Sequence, residues 1–311
     1  MKILLLGANG QVGFELQRAL APLGDLAAAT RSGTLPGNID CLRADLADAD
    51  SLAQALQSAR WDIVVNAAAY TAVDRAEDEP ALAQRINAEA LAQIGEWAAR
   101  NAALVIHYST DYVFDGQGTR PYREDDATAP LGIYGCSKLA GEDALRAAGC
   151  AYLILRTAWV YGARGGNFLR TMLRLARERD RLTVVDDQRG APTSSRLIAA
   201  TTAAVLKQWR DGDAARREGY NGVWHLAADG ETTWCGFARA IVARAAAAGL
   251  IAREVEVAAI RTADFPTKAQ RPAYSVLDTS RLRERFGLTM PDWTQGLDAV
   301  IGELAEAAGS K

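Results

Sequence analysis

The sequence predicts an α/β protein: a Rossmann-type, doubly wound parallel sheet with a smaller C-terminal substrate domain. Three observations carry this. Short apolar runs alternate with helical patterns through the first half of the chain. A glycine-rich loop, GANGQVG at 7–13, follows the first of those runs. Past about residue 160 the alternation loosens, as it does where a second unit is added. Strand–helix alternation implies parallel strands covered by helices on both faces.

The elements follow in order. Residues 2–6, KILLL, form a buried strand. They are too few for the apolar core of a signal peptide, and glycines end the run. A helix follows over 11–20. LAAAT (26–30) is the second strand, CLRA (41–44) a short one, and a helix lies near 50–58. WDIVVNAAA (61–69) is a strand bounded by small residues. Over 81–101, Leu82, Ile86, Leu91, Ile94 and Trp97 share one apolar face of a helix. ALVIHYS (103–109) is the next strand and 133–147 a helix. YLILRTAWV (152–160) is a strand, 167–179 a helix, RLTVV (181–185) a strand and 195–209 a helix. A polar loop over 211–222 leads to the strand VWHLA (223–227) and a helix over 234–248. The tail from Glu254 is irregular and ends in a helix near 294–308. Residues 1–160 are expected to form a dinucleotide-binding domain, with 181–227 returning to it. Residues 161–180 and 228–311 are expected to form the substrate domain.

Composition removes several classes of function. With 311 residues the chain suits two units. A formal net charge of −3 speaks against nucleic-acid binding through a basic surface. No apolar run approaches the ~20 residues of a membrane span. Cys41, Cys136, Cys150 and Cys235 form no C-x-x-C pair and lie far in sequence from His107 and His225. That argues against a zinc site and for a reducing, cytoplasmic setting.

Gly7, Gly10 and Gly13 have the spacing G-x-x-G-x-x-G, between a first strand and a first helix. Small residues there let the backbone approach a pyrophosphate, and the helix N-terminus offers free N–H groups. Dinucleotide binding is expected. An acid at the end of the second strand would select NAD by bonding the ribose hydroxyl. Here Thr30 and Arg31 stand in its place. Arginine complements a 2′-phosphate, so NADP(H) is preferred. NAD(H) remains the alternative, with Arg31 then a solvated loop residue.

IYGCSKLAGE (133–142) places Tyr134 and Lys138 four apart, on one face of the expected helix. An ammonium beside a phenol stabilises the phenolate and lowers its pKa toward a range useful in acid–base work. Thr110, at the end of the strand before, is placed to bond a substrate carbonyl. His107 and His225 lie inside strands and are read as packed core histidines. Arg271, in KAQRPAYS, is either a ligand for a diphosphate or a solvated loop residue. The acidic run 124–126 is read as a solvated loop.

The glycine loop, Thr110 and the Y-x-x-x-K pair, in this order, resemble the extended short-chain dehydrogenase/reductase family. GQVG with ELQ, VNAAAYTAVDRAE, YSTDYVFDG, PLGIYGCSKLAGE, LRTAWVYG, TMLRLA and DQRGAPT extend the resemblance over essentially the whole chain. It implies reduction by NADPH of the C4 ketone of a dTDP-linked 6-deoxyhexose, in the synthesis of a surface polysaccharide precursor. It implies cofactor contacts from Gly10, Gln11, Val12, Asp45 and Leu46, and from the backbone of Ala67, Ala68 and Ala69. Thr110 and Asp111 would meet the sugar and Trp159 would line its pocket. Tyr134 would be the proton donor, with Lys138 its partner and a ligand of the nicotinamide ribose. Some members hold Mg²⁺ in an acidic cluster at a dimer interface. Glu15 matches one member of that cluster, but Arg196 stands where a second carboxylate is expected. No metal is therefore expected, and a homodimer stays open. Two other readings also stay open: a dehydratase or epimerase of the same family, and a non-catalytic nucleotide-binding regulatory subunit. A dehydratase commonly has an Asp-Glu pair after the threonine, whereas Thr110 is followed by Asp111 and Tyr112.

Overall fold

The run KILLL becomes the strand at the middle of the sheet, β1 (Lys2–Leu6). The computed structural model describes residues 1–309. Six further strands join β1 in parallel: β2 (Asp25–Thr30), β3 (Leu42–Arg43), β4 (Ile63–Asn66), β5 (Leu104–Thr110), β6 (Ala151–Thr157) and, after a strand β7 (Arg181–Val185) that lies elsewhere, β8 (Gly222–His225). Their order across the sheet is β8-β6-β5-β4-β1-β2-β3. The chain therefore builds outward from β1 to one edge, then returns and builds to the other.

Both faces of this sheet are covered, and the strands read accordingly as near-continuous apolar runs. Successive side chains go to opposite faces. Ile3, Leu5, Val65 and Ile106 pack under α1 (Gln11–Leu20) and, from far along the chain, α6 (Ser195–Asp211). Leu4, Leu6, Val64 and Val105 pack under α2 (Ala49–Gln57), α3 (Ala90–Asn101) and α4 (Ile133–Ala147). A third apolar cluster joins α5 (Phe168–Glu178), β7, α7 (Trp234–Ala247) and α8 (Trp293–Gly309). It has its own small sheet, in which β7 pairs in parallel with β9 (Glu256–Ile260).

Four expectations need correction. The segment 181–185 does not return to the large sheet, because β7 pairs with β9 and sends Leu182 and Val184 into the third cluster. Conversely, Leu282, Phe286 and Met290 from the C-terminal region pack with Tyr220 and Trp224 on the first unit. The strand expected over 152–160 stops at Thr157, since Trp159 has φ +48° and turns the chain. Val160–Tyr161 then pairs with Thr193–Ser194. The helix expected over 81–101 is broken by a π turn at Arg85–Glu89. The extra residue in that turn rotates the helix faces by about 100° relative to one another. Leu82 is exposed as a result, while Leu91, Ile94 and Trp97 are buried.

Candidate active site

The strand order reverses between β1 and β4, so their carboxyl ends lead to crossovers on opposite faces and leave a crevice, the usual ligand site of doubly wound sheets. A cleft of about 740 Å³ opens there. Gly7, Gly10, Gln11, Val12, Arg31, Asp45, Leu46, Ala67, Ala68 and Ala69 line one part of it. Thr110, Asp111, Tyr134, Lys138 and Trp159 line another. Residues from both halves of the chain thus meet in one cavity; of the sequence-predicted residues, only Gly13 and Arg271 lie outside its lining.

The glycine loop is built for close approach. Gly7 has φ +75°, and a Cβ on it would lie 2.7 Å from the Ala68 nitrogen. A Cβ on Gly13 would lie 2.1 Å from the Gly7 oxygen. Gly13 therefore serves the loop's packing rather than the cavity wall. Gly10 caps α1 in extended conformation without a side-chain bond, so the first N–H groups of that helix are not covered by a capping side chain. These features suit an anionic pyrophosphate. Arg31 is exposed at the cleft's edge, at the end of β2. Gln11 reaches across: its amide donates to the Gly166 oxygen at 3.2 Å and accepts from Asn167 Nδ2 at 2.8 Å. It ties the glycine loop to the chain that follows Trp159.

Tyr134 and Lys138 lie on α4, as the spacing predicts, but they do not bond each other directly. Lys138 is 2% exposed; its Nζ lies 2.6 Å from the Tyr108 carbonyl oxygen and 3.0 Å from His107 Nε2. Burial lowers its pKa to about 7, against an upward push from the Glu142 carboxylate. The expected lowering of the phenol pKa is absent. Burial pushes Tyr134 up to about 12; the Thr110 hydroxyl opposes this, and the Asp111 charge adds to it. The ammonium is held by β5 instead of the phenol, and Tyr134 stays protonated at neutral pH. The Tyr112 ring stands edge-on to that of Tyr134, with centroids 5.7 Å apart.

The Thr110 hydroxyl donates to Asp111 Oδ1 at 3.0 Å and accepts from the Tyr112 N–H at 3.2 Å. It must release Asp111 before it can donate to a substrate. Asp111 is 2% exposed, and burial raises its pKa to about 6. Its Oδ2 is fully buried, and the Ser275 and Thr110 hydroxyls oppose the rise.

The sequence reading missed the rest of the wall. The Trp159 indole stacks on Trp234, with centroids 3.5 Å apart and planes 4° from parallel. Phe168 leans on Trp234 at 4.7 Å. Asn9, Thr71, Val73, Ile86 and Tyr112 line the cleft too. Trp234 comes from the third cluster, 75 positions from Trp159, so no local pattern announces their meeting. His107 is a core histidine, as expected, yet it also touches the site through Lys138. His225 is buried, its Nδ1 lying 3.1 Å from the Tyr122 carbonyl oxygen. Glu124, expected in a solvated loop, accepts from the His225 N–H at 2.9 Å.

Arg271 is half-buried and paired. Its two terminal nitrogens meet the Asp74 carboxylate at 3.2 and 2.7 Å, and a ligand phosphate would have to displace that partner. Of the residues compared with an acidic cluster, Glu15 pairs with Arg18. Arg196 pairs with Glu303 at 2.7 Å, and Arg164 takes the other oxygen of Glu303 at 2.6 Å. Among the described residues, no group of three or more His, Cys, Asp or Glu side chains is placed to hold a metal ion.

A doubly wound parallel sheet, a glycine loop at its switch point and a Thr, Tyr and Lys set in the same cleft define the class: an NAD(P)-dependent oxidoreductase of the short-chain type. The comparisons with known proteins narrow it. The chain matches the model of the family described as RmlD substrate binding domain over residues 1–306, and it belongs to that family. It is 46% identical to the dTDP-4-dehydrorhamnose reductase of Escherichia coli K12, over 98% of each chain. It is also 46% identical to that of Burkholderia thailandensis, over 98% of this chain and 99% of the other. Among solved structures, the Bacillus anthracis dTDP-4-dehydrorhamnose reductase in complex with NADP superposes with a TM-score of 0.84 at 33% identity, covering 97% of this chain and 99% of the other. UDP-glucose 4-epimerase from Thermus thermophilus shares the fold alone, at 18% identity and a TM-score of 0.77 over 99% of this chain and 100% of the other.

Proposed function

We propose that the protein is a cytoplasmic reductase that uses NADPH to convert dTDP-4-dehydro-L-rhamnose to dTDP-L-rhamnose, a precursor for surface polysaccharide such as O-antigen. The observation that carries this reading is the meeting of Thr110, Tyr134 and Lys138 in the cleft that the glycine loop opens. The whole-length similarity to dTDP-4-dehydrorhamnose reductases supports the substrate. Four free cysteines and the absence, among the described residues, of a helix long and apolar enough to cross a membrane are compatible with the setting.

A nicotinamide cofactor, when bound, supplies the hydride. The rest is done by the chain. The N-terminus of α1 and the glycine loop would hold the pyrophosphate, and Arg31 would meet the 2′-phosphate that distinguishes NADP(H) from NAD(H). Asp45, Leu46 and the backbone at 67–69 would complete the cofactor wall. The layer around α5 and α7, with the stacked Trp159 and Trp234, forms the sugar side. As negative charge grows on the C4 oxygen, Tyr134 passes its phenolic proton to that oxygen. Thr110, turned from Asp111, donates a second hydrogen bond. Lys138, in its charged form, stabilises the phenolate left behind. A preorganised donor of this kind is commonly worth about 3 kcal/mol of barrier.

The test is to incubate the protein with NADPH and the 4-keto sugar nucleotide. NADPH should disappear one for one with the ketone. No consumption would point to a regulatory subunit. Formation of a 4-keto-6-deoxy sugar from dTDP-glucose, without added reductant, would point to a dehydratase.

A further inference from the structure

We propose that Asn167 is a positioning residue for the cofactor: its side-chain amide clamps Gln11, and through it the start of α1, where the free N–H groups of that helix would meet a pyrophosphate. Asn167 caps α5 and stands between two residues of the cleft wall, Gly166 and Phe168, without lining the cleft itself. The backbone orients its amide. Oδ1 accepts from the Arg170 N–H at 3.0 Å. Nδ2 faces three acceptors: the carbonyl oxygens of Gly162 at 2.9 Å and Arg164 at 3.1 Å, and Gln11 Oε1 at 2.8 Å. A flipped amide would set its NH₂ group against a backbone donor and its oxygen against two backbone carbonyls. Gln11 is fixed in turn, since its Oε1 accepts from Asn167 and its Nε2 donates to the Gly166 oxygen at 3.2 Å.

Both ends of the Gln11 amide are thus bound by the segment 162–167. What Gln11 offers a cofactor is its backbone N–H, at the first position of α1. The same segment grips α1 a second time, one turn on. The Arg164 guanidinium lies 4.1 Å from the centre of the Phe14 ring and pairs with Glu303 of α8 at 2.6 Å. Gln11 and Phe14 are three apart and share a helix face. Gly165, with φ +71°, packs on the Gln11 stem, where a Cβ would lie 2.8 Å from Cγ.

The glycine loop needs such a brace. Its glycines let a phosphate approach, but they leave the loop few side chains with which to hold its own shape. Donors that already stand in place bind an anion without the cost of ordering them, so the clamp acts on cofactor affinity. Phe168, next in the chain, lines the cleft and leans on Trp234 at 4.7 Å. Asn167 therefore also sets the glycine loop against the aromatic wall. This role rests on the dinucleotide reading of the cleft.

The test is NADPH binding to the full chain, followed by nicotinamide fluorescence with no sugar present. Asn167→Ser keeps a good cap for α5 but is too short to reach Gln11. Gln11→Met keeps the stem and every backbone N–H, and loses both side-chain bonds. Each should raise the NADPH Kd about tenfold, with a melting temperature close to that of the wild type. The double variant should bind no more weakly than either single one, because both changes open the same clamp. In turnover the loss should fall on KM for NADPH more than on kcat. An unchanged Kd in either folded variant overturns the proposal. Effects that multiply in the double variant would mean independent roles and overturn it too, as would a Kd loss matched by a fall in melting temperature, the mark of a merely structural role. If Asn167→Ser does not fold, Gln11→Met decides alone. A wild-type chain that binds neither NADPH nor NADH overturns the role outright. A protein that binds NADPH through the clamp yet leaves the keto sugar unreduced sinks the reductase reading alone; a reductase whose affinity ignores the clamp sinks only this role.

Discussion

In the proposed mechanism the chemistry turns on Tyr134. Held at about 12 by burial, its phenol arrives at the reaction protonated. Tyr134→Phe keeps the ring against Tyr112 and removes the proton. We expect kcat to fall about 10²–10⁴-fold with cofactor affinity little changed, measured by steady-state kinetics and NADPH titration. A wild-type rate would remove Tyr134 from the mechanism. Arg31 makes a second prediction at this scale. NADPH should be used with higher kcat/KM than NADH, and Arg31→Ala should narrow the gap. Equal values in the wild-type protein would show that another group reads the 2′-position. The glycine loop and the Y-x-x-x-K pair were legible in the sequence because their geometry is local to one turn and one helix. The true partners of Lys138 were not, because Tyr108 and His107 reach it across from β5.

The element that places Tyr134 and Lys138 is α4, and two tertiary devices hold it. The π turn at 85–89 puts Asn87 between the backbone of Tyr70 and the Ser137 hydroxyl, 3.0 Å away on α4. On its far side, Glu142 forms a two-point ion pair with Arg156, at 2.9 and 2.7 Å. Glu142 is 0% and Arg156 2% exposed. Glu142→Gln would leave the Arg156 charge buried without its partner. We expect a loss of about 3–5 kcal/mol of stability, read from denaturant midpoints, since breaking such a pair strands the surviving charge. A change within error would mean that water reaches the pair. Neither device has a sequence signature. The apolar period of 81–101 predicts a helix but gives no sign of the wide turn. The apolar content of 152–160 likewise hides the turn at Trp159, which is held by contacts with residues far along the chain.

At the scale of the whole molecule, the alternating first half gave away the large sheet. The second unit was harder to place, because β7 and β9 are 71 positions apart and their pairing is set by the third apolar cluster. The two buried histidines link the whole fold to pH. The unfolded chain binds protons at both as pH drops below about 6.5, while folded His225 resists until about 3 and His107 is also held low. Their contribution is therefore present above 6.5 and is lost as pH falls toward those folded values, by up to about 1.4 kcal/mol per pH unit each. Asp111, raised to about 6, opposes one of them because it takes up its proton first in the folded state. The melting temperature should fall with acidification, and His225→Asn should make that fall shallower. A pH-independent melting point between pH 7 and 4 would contradict the burial of these groups.

The most direct measurement of the central claim follows the hydrogen itself. The 4-keto sugar nucleotide would be turned over with NADPH carrying deuterium at the transferable position, and the product examined by mass spectrometry and NMR. A reductase that exchanges its cofactor each turnover predicts one deuterium per sugar, at C4 and nowhere else. A product without deuterium, or with hydrogen returned from a cofactor retained through purification, would contradict the reductase account and favour an epimerase or dehydratase.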